Sequence, residues 1–383
     1  MWQSAAMRLI SVAGLLVTWL QLQPAYAESP PHEFIDDAKA LLVVGACAEG
    51  APPATVKADL VEAHCKTVKA AQSEYKTSWI TKARPFFDTN VPKTVKTTVV
   101  YPFAGGDLST ALTVYPDADE ITTLSLEPAG DPRALGKLDD KGLKVALSVV
   151  AKELSSLYRS NFSVTMNMIG AMRSGKLPTQ LIFGLSALVI HGYELTGMRY
   201  FKLSKDGDIQ YLTDENLAKI DKIKDIGMRN RYLSNVELKF KKPGGKKEQT
   251  YRHIMANLDD AHIKADPSAL KHLEKKGTVS GMTKAASYLL TFDEFQTMRK
   301  YVIGHVDWMV SDSTGLPPKY GEPAGFEYET HGIYEQSNMA AGGPVTPQWR
   351  KMFKEQPQRP LDFRFGYPDK KLRGHLVIMR KKK

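Results

Sequence analysis

The chain has 383 residues, 43% of them hydrophobic and 25% charged, and a formal net charge of +10. This is ordinary globular composition, which excludes a disordered chain, and a mean hydropathy of −0.31 excludes one built mostly of membrane helices. The length suits one large domain or two modest ones, and the positive balance favours acidic partners.

Residues 1–27 read as a secretory signal peptide. Arg8 supplies the positive start, residues 9–22 are mostly apolar, and Pro24-Ala25-Tyr26-Ala27 offers a helix breaker and small residues before Glu28. An uncleaved anchor is the alternative, but the apolar run is short for a bilayer span. The expected product is exported, periplasmic or secreted, with no transmembrane span. Two further segments follow: an N-terminal helical extension at 28–92 and an α/β domain at 93–383.

Apolar spacing predicts a helix over 33–44 and a second, N-capped by Thr55, running to Arg84 and ended by Pro85. Cys47 and Cys65 are the only cysteines. In an oxidising compartment an isolated pair is most simply a disulfide, contributing roughly 3 kcal/mol by loop closure. Two free thiols are the alternative; the spacing fits neither a C-x-x-C redox pair nor a zinc knuckle.

The period then changes. Residues 94–101 are β-branched and read as a strand, 102–107 as a loop, 108–114 as a short helix and 120–126 as a second strand. Helices are expected over 141–159, 164–173 and 178–191, the last apolar nearly all round. Strands at 197–203 and 208–212 flank an Asp206-Gly207 turn, and 231–242 and 247–256 form a hairpin through Pro243-Gly244-Gly245. Helices at 266–275 and 288–305, strands at 306–310 and 326–334, a helix from Thr346 to about 355, and strands at 361–365 and 372–379 complete the chain. The expected fold class is α/β: a Rossmann-like, mainly parallel sheet flanked by helices, with antiparallel hairpin insertions.

The lysine-rich turn at 241–247 and the tail at 380–383 concentrate positive charge. An anionic envelope component or another envelope protein fits that surface, and solvated turns are the plainer reading. Basic and aromatic residues are not interleaved, so nucleic acid is not expected.

The most informative block is 99–130. A strand ends in a loop with Gly105, Gly106 and Asp107, a short helix follows, and a second strand ends in Glu127. Glycines admit close backbone approach, a helix start offers N–H groups, and an acid after the second strand can accept from a ribose diol. A tight strand-to-helix turn with a loop-capping acid is the alternative.

The run Tyr101-Pro102-Phe103-Ala104-Gly105-Gly106-Asp107, then Tyr115-Pro116-Asp117-Ala118 and Leu126-Glu127-Pro128-Ala129-Gly130, resembles a family of exported bacterial proteins of unassigned function. The likeness extends loosely through 307–320 to the C-terminal strands and brings no activity with it. More distantly, the block is similar in layout to class I S-adenosylmethionine-dependent methyltransferases. That resemblance implies Gly105 and Gly106 in a cofactor loop and Glu127 as the ribose-binding acid. The glycine-x-glycine pattern is absent, however, and Tyr101 and Pro102 stand where such enzymes often carry an acid.

A second candidate is the polar strand end at 311–315, where Asp312 and Ser313 could bind a polar ligand or a cation; a turn of ordinary composition is the alternative. His253, His262 and His272 show no metal-ligand spacing, so no metal site is expected. His191 and Ser186 read as core residues. The expected function is ligand or partner binding in the cell envelope on a degenerate Rossmann-like scaffold, with no cofactor. The alternative is an atypical transferase using S-adenosylmethionine or a nucleotide in the cleft between Gly105 and Glu127. Convergence of Gly105, Asp107, Glu127 and Asp312 favours a small-ligand site; a cleft plugged by Phe103 or Tyr101 counts against it.

Overall fold

A computed structural model describes residues 29–161, 176–334, 346–367 and 374–382; the signal segment and the helix expected at 164–173 lie outside the described residues. Helix α1 (Ile35–Val44) buries Ala38, Leu41 and Val44. Helix α2 (Ala58–Tyr75) buries Val61, Val68 and Tyr75, and passes through a π turn (Lys76–Ile80) into α3 (Thr81–Asn90). Two expectations fail here. Thr55 does not cap α2, which begins after Lys57, and Pro85 lies inside α3 rather than ending the helix. The π turn directly upstream is the local distortion through which the backbone takes up the proline. A Cys47–Cys65 disulfide is present and ties the end of α1 to α2. These helices bury their apolar faces in the same core as the sheet, with Phe34, Trp79 and Phe87 beside Val99, Tyr101 and Phe183.

The remaining chain alternates strand and helix. It runs β1 (Thr98–Pro102), α4 (Leu108–Val114), β2 (Glu120–Ser125), α5 (Asp140–Ser160), α6 (Thr179–His191), β3 (Glu194–Leu203), β4 (Ile209–Tyr211), α7 (Asp214–Asp221), α8 (Ile226–Tyr232), β5 (Asn235–Lys241) and β6 (Glu248–Met255). Then come α9 (Asp260–Ala265), α10 (Ser268–Glu274), β7 (Val279–Thr283), α11 (Gln296–His305), β8 (Val306–Ser311), α12 (Pro318–Gly321), β9 (Phe326–Gly332), α13 (Thr346–Glu355) and β10 (His375–Lys381).

All ten strands form one mixed sheet, ordered β4-β3-β5-β6-β2-β1-β7-β8-β10-β9. The five central strands, β6-β2-β1-β7-β8, are parallel, and β10 runs antiparallel between β8 and β9. The chain works outward from β1 through β2 to β6, then crosses back to β7 and β8. The strand order therefore reverses between β1 and β7, the crevice where doubly wound sheets bind ligands at the strands' carboxyl ends. The fold is α/β and Rossmann-like, with β3, β4 and β5 as the antiparallel insertion.

Strand β7 has no counterpart among the predicted elements. Its Val-Ser-Gly-Met-Thr run lacks a β-branched series because there is no room for one: a Cβ on Gly281 would meet Val306 at 2.9 Å. Residues 361–365 are not a strand. Their alternation buries Phe363 and Phe365 against Phe87 of α3, so the period of two reports loop burial and not a ladder. The strand expected from 231 begins at Asn235, because α8, N-capped by Asp225, runs on through Tyr232. The basic runs are matched by acids: Lys241 to Glu194, Lys242 to Asp117, Lys247 to Asp119, Arg380 to Glu329 and Lys382 to Glu327. No helix among the described residues is long and apolar enough to cross a membrane.

Candidate functional site

The loop after β1 turns through two left-handed residues, Phe103 (φ 60) and Gly105 (φ 55). At Phe103 this costs about 1–2 kcal/mol, since only glycine adopts it without crowding at Cβ. The Phe103 ring packs edge-on to Phe295. Helix α6 lies against the loop. Gln180 Nε2 donates to Gly105 O at 2.9 Å, and a Cβ on Gly106 would stand 2.1 Å from Phe183 Cδ2. Gly106 is thus required by helix packing. Gly106→Ala is expected to destabilise the fold by about 1–3 kcal/mol in urea denaturation, as overpacking does, and Phe183→Leu in the same chain should recover part of that loss.

Asp107 caps α4, its Oδ1 accepting from the Thr110 hydroxyl at 2.7 Å. Its Oδ2 accepts from Tyr101 OH at 3.0 Å and pairs with Lys284 Nζ at 2.7 Å. Lys284 follows β7 directly and is buried, only 3% exposed. Its ammonium also donates to Thr110 Oγ1 (2.6 Å) and Asn161 Oδ1 (3.1 Å), and the Trp79 and Phe365 ring centres lie 5.6 and 5.8 Å away. Tyr75 OH donates to the same Asn161 oxygen. Burial pushes the Lys284 ammonium down from its ordinary range, and Asp107 opposes that shift. Burial, with Asp107 alongside, holds the Tyr75 and Tyr101 phenols well above theirs. The ion pair bridges the loops after β1 and β7, and Lys284 and Tyr101 are both buried where the strand order reverses.

Asp312, after β8, is a bracket between loops. Its Oδ2 accepts the N–H groups of Ala285 (3.0 Å) and Tyr367 (3.1 Å), and its Oδ1 accepts the N–H and hydroxyl of Thr314. The bracket holds the loop after β7 in a costly shape, with Ala285, Ser287 and Tyr288 at φ 53, 52 and 63. Next to it, His375 Nε2 receives the Ser313 N–H at 3.0 Å and lies 2.8 Å from Ser313 Oγ. A backbone N–H only donates, so Nε2 is the lone-pair nitrogen and the serine hydroxyl donates to it. That is a nucleophile–base distance, and Ser313 and His375 are 0% and 1% exposed.

Glu127 sits two residues beyond β2 and is 0% exposed. Neither carboxylate oxygen has a hydrogen-bond partner among the described residues. Its main chain is well held: the carbonyl accepts from His253 Nε2 at 2.7 Å. His253 Nδ1 faces Gln180 Nε2 at 3.3 Å, and Gln180 Oε1 is also without a partner. Burial brings His253 down to about 4, with the Glu127 carbonyl opposing it.

The structure therefore links Gly105 to Glu127 through Gln180 and His253. It links Asp107 to Asp312 through Lys284 and Ala285. Together these residues make a buried polar strip along the carboxyl edge of the sheet, from β6 to β10. An open groove beside edge strand β9, lined by Tyr328, Met352 and Arg359 among others, contains none of them. Lys284, Asn161, Gln180 and His375 were not among the sequence candidates. Ser186 is a core residue bonded to Tyr158 and Gln72, and the half-buried His191 lies 3.0 Å from Ser109 Oγ.

The fold and this strip define an α/β protein with a Rossmann-like sheet that carries a buried lysine–aspartate pair at its switch point. No family model, no curated protein and no solved structure matches the chain.

Proposed function

We propose that this is an exported cell-envelope protein that holds a small polar ligand at the end of β2, on a Rossmann-like scaffold that has given up cofactor chemistry. The observation that carries this reading is the Glu127 carboxylate, wholly buried and with neither oxygen partnered among the described residues. A buried carboxylate without hydrogen bonds costs several kcal/mol, and the ligand of this reading supplies the missing donor. A diol or an amine supplies that donor. Export is supported by the signal-like residues 1–27 and agrees with the disulfide. The Lys284–Asp107 pair argues against a nucleotide cofactor in the β1–β7 crevice.

The second reading, an atypical transferase using S-adenosylmethionine, is supported by the strand order. The β1–loop–α4–β2 block on which the class I methyltransferase resemblance rests lies at the centre of the doubly wound sheet, beside the reversal of strand order.

A thermal-shift screen against nucleosides, S-adenosylmethionine and envelope glycans separates the two. Under the first reading a sugar or polyol stabilises the protein, by about 2.7 kcal/mol at a hundredfold excess over Kd, and Glu127→Gln abolishes the shift. Equal shifts in both proteins, or none with any ligand, would overturn it. Stabilisation by S-adenosylmethionine that is lost in Glu127→Gln would favour the transferase.

A further inference from the structure

The disulfide has a third donor beside it. His64 immediately precedes Cys65 on α2, and a ring nitrogen of His64 and the sulfurs of Cys47 and Cys65 all lie within 4.8 Å of one another. Among the described residues no other group of three histidine, cysteine or carboxylate donors is gathered this closely. His64 is buried, 6% exposed, and its Nε2 lies 3.0 Å from Gly45 O. A carbonyl can only accept, so Nε2 carries the proton and Nδ1 keeps its lone pair. Nδ1 makes no hydrogen bond of ordinary geometry, although the Leu147 backbone lies close enough to act on the ring. A ring nitrogen anchored on a backbone carbonyl, with the other left open, is how metal-ligating histidines are held.

The chemistry of the donors selects the ion. Two thiolates and one imidazole form a soft set, suited to Cu(I) or Zn(II), and three donors without a fourth fit the low coordination of Cu(I). We infer that reduction of the Cys47–Cys65 disulfide uncovers a site in which Cys47, His64 and Cys65 hold one Cu(I) ion. The oxidised chain has no such site, because both sulfurs are spent on each other.

The electron balance is simple. A dithiol reductant attacks the Cys65 sulfur, the more exposed of the two, and the Cys47 thiolate leaves. The reductant's second thiol then displaces Cys65 and closes the reductant's own disulfide. Two electrons pass to the protein, and both cysteines take up protons. Cu(I) next displaces those two thiol protons, and no further electron moves. A covalent cross-link between α1 and α2 is exchanged for a metal cross-link at the same place.

The test uses the full-length exported chain, reduced with a phosphine under anaerobic conditions, desalted, and titrated with Cu(I) against a chromogenic Cu(I) chelator. One Cu(I) per reduced chain is expected, with a thiolate-to-copper absorption band, and none for the oxidised chain. Cys47→Ser should abolish binding, and His64→Gln, which keeps both thiols, should weaken it at least tenfold. Equal affinity in His64→Gln, or equal binding by the oxidised chain, would overturn the inference. So would loss of near-ultraviolet circular dichroism on reduction before copper is added, since the donors are then no longer held together.

Discussion

Lys284→Met will destabilise the protein by about 3–5 kcal/mol, the usual result of removing one partner from a buried ion pair. The reason lies in what is left behind. Asp107 is 4% exposed and would keep only Tyr101 and Thr110 as hydrogen-bond partners for a buried charge. Asn161 would lose one of the two donors that share its side-chain oxygen. Asp107→Leu should cost a similar amount for the mirror reason: it strands the ammonium between two aromatic rings. The double variant should cost much less than the sum of the two, because replacing both partners by apolar groups removes the desolvation penalty along with the attraction. Urea denaturation followed by tryptophan fluorescence measures all three, with Trp79 5.6 Å from the lysine nitrogen as a local reporter. Strict additivity would mean that the pair does not hold the β1 and β7 loops together.

That pair also marks the boundary of what the sequence makes legible. The parallel core is readable where side chains have room, as in Thr98–Pro102 and Glu120–Ser125, whose β-branched residues point into packed layers. It becomes unreadable at β7, where a side chain at Gly281 would meet Val306 and Met309 at close quarters and no hydrophobic period is left behind. With β7 unseen, Lys284 looks like any surface lysine, and its burial follows from an aspartate on a loop far away in the chain. Asp312 and Ser313 were visible as polar residues at a strand end. Their work, bracketing three loops and locking His375, depends on backbone N–H groups that carry no residue signature. Glu127 was visible as an acid after β2, but that nothing in the described chain bonds it is a property of packing alone. The disulfide was legible from compartment and count; the histidine beside it was not, because its significance rests on which ring nitrogen the Gly45 carbonyl takes.

Stability is expected to fall as pH drops from about 6.5 toward 4, before carboxylate protonation dominates. Burial holds His191 at about 3, with Arg84 pushing the same way, and holds His253 at about 4. Burial and Lys276 bring His272 to about 4 as well. In the unfolded chain each histidine titrates near 6.5. Between the folded and unfolded values the unfolded state binds more protons, so unfolding becomes easier as pH falls, by up to about 1.4 kcal/mol per pH unit for each fully buried ring. The stabilisation is complete above 6.5 and is lost progressively down to about 4, where the folded rings begin to protonate. Glu120 extends the acid limb. Burial pushes it up, but Lys276 and Arg252 outweigh that and hold it at about 2, so its contribution is lost below its ordinary value of 4.5. Urea denaturation of wild type and His253→Gln across this range isolates one ring. The variant should show a shallower slope between pH 6.5 and 4 by up to one histidine's share, and identical slopes would mean that His253 is not held neutral. The result bears on the ligand site proposed at Glu127, because His253 Nε2 and Gln180 join Glu127 to the Gly105 loop only while Nδ1 accepts. Protonation of the folded ring breaks that link, so a ligand held at Glu127 should be released only near pH 4, at the acid end of the range in which the fold weakens.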